Sequence, residues 1–372
     1  MPQGENFWNP YRWVTISDKP IQHDVPNYQH TLSGISGRIW CELEALTPLM
    51  IGDGHGEFVR HRGNQKPYIP STSLKGVVRS LAEVVGNATV PFPGPQVDDP
   101  HQLEKAQRDI NDIAHFDIVS RMFGYLNGGD VVAGLVHFSD ADISKEVSPL
   151  NQWQQYQVAV GQPKPNHRAF YAAQKDRRKF YHHHPGAQGL VRPHPGILQT
   201  NRVRPAPPGT CFSFTVDFMN LRENELNLLI YCLVLEKDVT VTLSPEALGK
   251  DQNEPPFTFE GPLRHKMGGA KPHGAGSVRM CITKMELRTN AAARYRGGST
   301  PDALDGGTLT TELDRRTASF RRRTDQTMQE LRAMLIYSTD DPRTPIHYPK
   351  FDWFEDERET EFHRQTRLKP TI

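Results

Sequence analysis

The chain has 372 residues, 36% of them hydrophobic, with 44 Lys and Arg against 43 Asp and Glu for a net charge of +1. That length suits one large elaborated domain or two ordinary ones, and the balanced charge excludes a globally basic nucleic-acid binder, so any such signal has to be local. No apolar run reaches the ~18 residues of a membrane helix, MPQGENFWNPYRW lacks a charged-then-apolar leader pattern, and four cysteines without a CxxC read as buried thiols of a reducing, cytoplasmic protein.

Residues 1–36 form an N-terminal arm. In GRIWCELEALTPL (37–49), Ile39, Cys41, Leu43 and Ala45 alternate with polar neighbours, the pattern of a half-buried strand. A glycine-containing loop, 51–66, leads to PYIPSTSLKGVVRSLAEVVG. There Pro70 holds its predecessor extended, and Ser71 or Ser73 can cap a helix. Leu74, Val77, Val78, Leu81 and Val84 or Val85 give the helix an apolar face, and Gly86 ends it. Residues 91–118 read as a polar connection with a short helix near 103–113. VVAGLVHF (131–138) reads as a second strand.

Residues 139–210 then form an insertion. Between Pro163 and Arg204 it carries nine Lys or Arg against one acid, Asp176, interleaved with Phe170, Tyr171, Phe180 and Tyr181. A third strand follows in CFSFTVDF (211–218). In LRENELNLLIYCLVLEK, Leu226, Leu229, Ile230 and Leu233 have helical spacing, with Glu223 and Glu225 at the end the helix dipole favours for acids. The glycine-rich HKMGGAKPHGAGSV (265–278) precedes a fourth strand, 277–287. The extension 288–372 holds a helix around Leu309–Tyr337, with Arg321, Arg322 and Arg323, and the acidic, aromatic FDWFEDERETEF. The order strand, helix, strand, strand, helix, strand predicts an α+β, ferredoxin-like (RNA-recognition-like) βαββαβ core over 37–287, with a large basic insertion between strands 2 and 3 and a C-terminal extension. Topology alone does not carry function.

Several motifs carry chemistry. Gly268, Gly269, Gly274 and Gly276 lie with Lys266 and Lys271 in a segment without a carboxylate. Such a loop is either a tight turn or a place where backbone amides meet a phosphate. Ser71, Ser73, Lys75 and Arg79 combine hydroxyls, helix N–H groups and two cations four residues apart, which suits a phosphate backbone as well as an ordinary capped helix. Arg177, Arg178, Lys179 and Tyr181 mark the basic insertion as a directed electrostatic feature. His182, His183 and His184 are consecutive, so neither strand nor helix gathers their rings; they read as an exposed or RNA-facing loop, not a metal site. Ser139, Asp140 and Asp142 close a strand and could cap a turn or hold Mg²⁺. Asp53, His55 and Glu57 put an acid and a base in one flexible loop, or form a turn with exposed acids. No GxSxG, Walker or dinucleotide motif is present.

LTPLMIGDG, PYIPSTSLKGVVRS, SRMFGYL, AGLVHFSDADI and HKMGGAKPHGAGSV, in this order, resemble the RAMP superfamily of CRISPR-associated proteins. The likeness is closest to backbone-type subunits of type III effector complexes, and NPYRWV, RRKFYHHHP and FMNLRENELNLL are similar to one subgroup; it covers about residues 7–287. It implies an RNA-recognition-like fold stacked along a CRISPR RNA, with sister RAMP subunits and the large signature subunit as partners. It also implies a thumb-like insertion wedged into the guide–target RNA duplex. The guide backbone would be held by Ser71, Ser73, Lys75 and Arg79 and by Lys266, Gly268, Gly269, Lys271, Gly274 and Gly276. The family motif PGSSLKG departs here, with Ser71 in place of its first glycine. RNA-cleaving relatives carry an aspartate in a longer loop before this helix, whereas 52–66 is short and offers Asp53 and Glu57 alone. The expectation is therefore a binding subunit in antiviral defence that needs no cofactor. The alternative is an Mg²⁺-dependent target-RNA endonuclease using Asp53 or Glu57, which would leave a cyclic phosphate. A third reading has His55 or His61 as general base on a 2′-hydroxyl.

Overall fold

The computed structural model describes residues 9–16, 33–88, 117–127, 130–159, 177–183, 200–245, 252–288, 302–343 and 346. The alternation of 37–49 becomes strand β2 (Ile35–Ala45), buried at Ile39, Cys41, Leu43 and Ala45. Strands β11 (Cys211–Leu221) and β15 (Ser277–Arg288) flank it, both antiparallel. The far side of β11 takes β6 (Val136–Phe138) and β7 (Ala141–Lys145), and β7 takes the short β3 (Tyr68–Ile69). Beyond β15 lie β14 (His265–Lys266) and β16 (Asp302–Leu304), completing an eight-stranded sheet. Because side chains alternate, one face of this sheet is apolar. Leu43, Phe212, Val216, Val278 and Met285 are buried there.

Helices α1 (Ser71–Val85) and α3 (Glu223–Val234) contribute Leu74, Val78 and Leu81, and Leu226, Leu229, Ile230 and Leu233, to the same core, the stripes their spacing predicts. The pattern over 309–337 forms two helices, α4 (Gly306–Arg321) and α5 (Gln326–Leu335). The break has a cause. Asp325 accepts from the Met328 amide to start α5, and Arg323 turns aside to Asp325 and the Val85 carbonyl. Arg321 pairs with Asp314, so two arginines of the run are engaged internally.

The second predicted strand is also divided. Helix α2 (Ile118–Phe123) is capped by Asp117, which accepts from the Val119 and Ser120 amides. A hairpin of β4 (Tyr125–Asn127) and β5 (Asp130–Val132) follows, and only β6 joins β11. Between them Gly134 passes so close to Phe123 that a Cβ would lie 2.5 Å from its carbonyl carbon. The segment expected as an insertion first supplies β7 to the sheet. It then forms ribbons: β8 (Tyr156–Ala159) with β10 (Thr200–Val203), and β9 (Arg177–Tyr181) with β1 (Tyr11–Thr15) from the N-terminal arm. Strands β12 (Val239–Leu243) and β13 (Phe257–Gly261) make a further ribbon. The helix expected near 103–113, the aromatic acidic segment 351–362, His184 and the basic stretch 163–176 lie outside the described residues.

Candidate nucleic-acid interface

The RNA-recognition-like fold expected from the sequence points first to the open face of the sheet. Its side chains alternate with the core: Arg38, Trp40, Glu42 and Glu44 on β2, Asp217 on β11, and Arg279, Lys284 and Glu286 on β15. The cations are spent there. Arg38 bonds Asp217 at 2.6 Å, Arg279 bonds Glu44 at 2.6 Å and Lys284 bonds Glu286 at 2.7 Å. Lys284 Nζ also lies 4.6 Å from the centre of the Trp40 ring. The face is polar and internally neutralised.

The end of the sheet differs. Ala45 closes β2 opposite Val278 at the start of β15, and Glu44 pairs with Cys211 at the start of β11, itself opposite Lys145. The loops at these positions gather at one end. The glycine loop there packs on the segment after β2: the Gly269 amide donates to the Met50 carbonyl (2.7 Å) and the Gly276 amide to the Pro48 carbonyl (2.9 Å). Gly268 (φ +78°) and Gly276 (φ +84°) take left-handed conformations, and a Cβ would stand 2.3 Å from Met50 O and 1.9 Å from Met267 O. Only glycine fits either place. Gly274 donates to the Lys271 carbonyl. Three of the four predicted glycine amides thus serve the loop's own packing.

Lys266 is buried, its ammonium donating to Gly274 O (3.1 Å) and Ser277 Oγ (3.2 Å), and burial pushes its pKa down to about 7. Lys271 Nζ lies 5.5 Å from the centre of the Tyr181 ring. Lys179 Nζ lies 3.6 Å from the Tyr11 ring and 5.1 Å from that of Tyr181. Tyr11 and Tyr181 face each other across β1 and β9, ring centres 5.7 Å apart. Burial, then the charge of Lys271, lowers Lys179 to about 8, and burial lowers Lys271. Among the described residues Lys271 has no carboxylate within ion-pairing distance. Partly desolvated ammonium groups held close together favour a polyanion beside them. Two motifs nearly a hundred residues apart thus meet, and Tyr11, not singled out as a site residue, joins them. Its signal in the sequence was the NPYRWV segment.

Other predicted contacts turn inward. Arg79 and Arg178 share the buried carboxylate of Glu83, Arg79 at 3.1 Å, and Arg79 also donates to the Gly124 carbonyl. This ties α1 to β9. Arg177 opposes Thr15 in the β1–β9 register. The serines do not cap α1: Pro70 is its N-cap, and the Ser71 amide donates to Asp140 Oδ1 at 2.7 Å. Ser73 N bonds the Pro70 carbonyl. A carboxylate already stands where a phosphate was expected, which disfavours a second anion. Lys75 remains half-buried on this helix, its pKa lowered by burial and then by Arg79.

The sequence model of the RAMP superfamily matches residues 42–233. The chain belongs to the RAMP superfamily. The match runs from β2 to α3 and so includes α1, the predicted insertion and β11. RAMP domains are ferredoxin-like, CRISPR-associated and RNA-binding, and act with CRISPR RNA and other CRISPR-associated subunits. No curated protein matches this chain. No helix among the described residues is long and apolar enough to cross a membrane.

In this RAMP protein the acidic loop is a hairpin. Val59 N bonds Ile51 O, Asp53 N bonds Glu57 O and His61 N bonds Lys66 O. Asp53 Oδ1 accepts from the His55 amide (2.7 Å) and the Glu57 amide (3.3 Å) and so builds the turn. The Glu57 carboxylate lies between Arg60 (3.1 Å) and Arg204 (3.5 Å). One acid is committed to backbone through Oδ1 and the other to two guanidiniums through Oε2. The histidine run is not exposed as expected. His182 and His183 are buried, and the ring of His183 bonds Ser277 Oγ (2.7 Å) and Arg264 O (3.0 Å). His61, in contrast, bonds Asp142 Oδ1 at 2.8 Å and stacks on Tyr68, ring centres 3.9 Å apart.

Proposed function

We propose that this RAMP protein is a guide-RNA-binding backbone subunit of a type III CRISPR effector complex, holding the guide and helping to shape the guide–target duplex. The observation that carries this reading is the meeting of Lys179 and Lys271 at the half-buried Tyr181 ring beside the glycine loop, with the buried Tyr11 ring behind Lys179, where two cations suit an RNA backbone. The strand order β15-β2-β11-β6/β7, with α1 and α3 on one core, supports a βαββαβ reading of residues 37–287. On that reading the residues between β7 and β11 serve as the thumb, and 288–372 serve as a docking extension toward sister subunits or the large signature subunit. Cleavage by Asp53 or Glu57 is not favoured, because both acids hold the hairpin together.

The test is co-purification. The assembled complex should retain a defined guide RNA, and Lys179→Ala with Lys271→Ala should lower its RNA content while the subunits stay together. In the same complex, a labelled target RNA incubated with Mg²⁺ or with EDTA should give the same cuts for wild type, Asp53→Ala and Glu57→Ala. Loss of one cut in either variant would make this subunit the nuclease.

A further inference from the structure

An RNA-binding sheet end gains nothing from an exposed carboxylate, yet Asp142 stands on β7 at that end with 70% of its side chain exposed. Its Oδ1 is held by His61 Nε2, and His61 is fixed by the near-parallel Tyr68 ring, 11° between planes. The turn after His61 is equally determined. Gln65 N bonds His61 O, Gln65 Nε2 bonds Arg62 O and Lys66 N bonds Asn64 Oδ1. His61, Gly63, Asn64, Lys66, Asp142 and Ile143 line an open groove of about 460 Å³, within the range of small-ligand sites.

A carboxylate only accepts hydrogen bonds. The donors an RNA strand can offer it are ribose 2′-hydroxyls and base N–H groups. Guanine alone presents two adjacent donors, N1–H and N2–H, spaced for the two oxygens of one carboxylate. The His61–Tyr68 stack offers a flat platform for a purine, and Lys66 offers a cation for the attached phosphate. We propose that this groove is a guanine-reading subsite, in which Asp142 accepts from N1–H and N2–H of one guanosine and His61 positions Asp142. The proposal rests on the RNA-binding reading above and adds base preference to an interface otherwise built for backbone.

The test is fluorescence anisotropy with the full chain and oligouridine probes of about twelve nucleotides, plain or with guanosine, inosine or adenosine placed centrally. Guanosine should tighten binding about tenfold over uridine. Inosine, lacking the N2 amino group, should lose most of that gain, and adenosine should show none. Asp142→Asn, which can still accept from His61, should abolish the guanosine preference and leave uridine binding within about twofold. Equal binding of all probes overturns the proposal, as does equal gain from both purines, which would mean stacking alone. A uniform loss in Asp142→Asn also overturns it, since the carboxylate would then serve the fold or the ribose. Failure to bind any probe would instead remove the RNA-binding reading itself.

Discussion

On the open face of the sheet, Arg38, Arg279 and Lys284 each lie within 2.7 Å of a carboxylate. Beside the glycine loop, Lys179 and Lys271 lie over tyrosine rings, and burial, then the charge of Lys271, depresses the pKa of Lys179. The open face is built on β2, β11 and β15, whereas Lys179 stands on the β1–β9 ribbon and Lys271 in the loop before β15, but the difference a phosphate would feel is not one of location. It is one of partners. Exposed ion pairs add little stability, but they cancel the field a phosphate would feel. Clustered, partly desolvated cations concentrate that field.

The largest expected effect sharpens the structural side of this contrast. Gly276→Ala forces a Cβ to within 1.9 Å of Met267 O at φ +84°, and should cost about 3 kcal/mol in urea unfolding. Gly76→Ala, at a helical site with nothing within 4 Å of the added Cβ, should stabilise by up to about 1 kcal/mol. If both variants unfold alike, the glycine loop is not the close-packed turn described here.

The next effect tests function directly. Lys179→Ala with Lys271→Ala should weaken RNA binding by about tenfold or more and reduce the log–log salt slope by about 1.4, or ~0.7 for each phosphate released. Arg38→Ala with Lys284→Ala should change affinity less than about twofold, because paired surface cations contribute little. A titration in which the open-face variant loses more would reverse the assignment of the two regions.

Smaller effects come from pH. Lys179 titrates at about 8, so it is charged below that pH and neutral above it. RNA affinity should rise as the pH falls from about 9 to about 7, and Lys179→Arg should flatten the profile. For stability the sign is opposite. Lys266 is lowered from 10.5 to about 7, so between these values the unfolded chain holds a proton that the native chain lacks. Stability should therefore rise with pH through that window. Thermal unfolding of Lys266→Met against pH should lack this increment.

The amino-acid sequence by itself determined the elements with strong periodicity. The alternation of β2, β11 and β15 and the apolar stripes of α1 and α3 follow from local backbone geometry, which repeats every two or 3.6 residues whatever lies elsewhere in the chain. It also marked Gly268 and Gly276, since a glycine-rich run signals backbone that other residues resist. The partners of polar groups were not legible in this way. Asp140 takes the Ser71 amide at the start of α1 across 69 residues, Glu83 gathers Arg79 and Arg178, and Asp142 meets His61 across 81 residues. The same basic motifs therefore read alike in sequence, although Arg79 and Arg178 are tied inward while Lys179 and Lys271 converge on two tyrosines. Sheet register and loop packing decided which carboxylate came within about 3 Å of which cation. An ion pair or cap is decided by that short distance, and only the folded chain sets it.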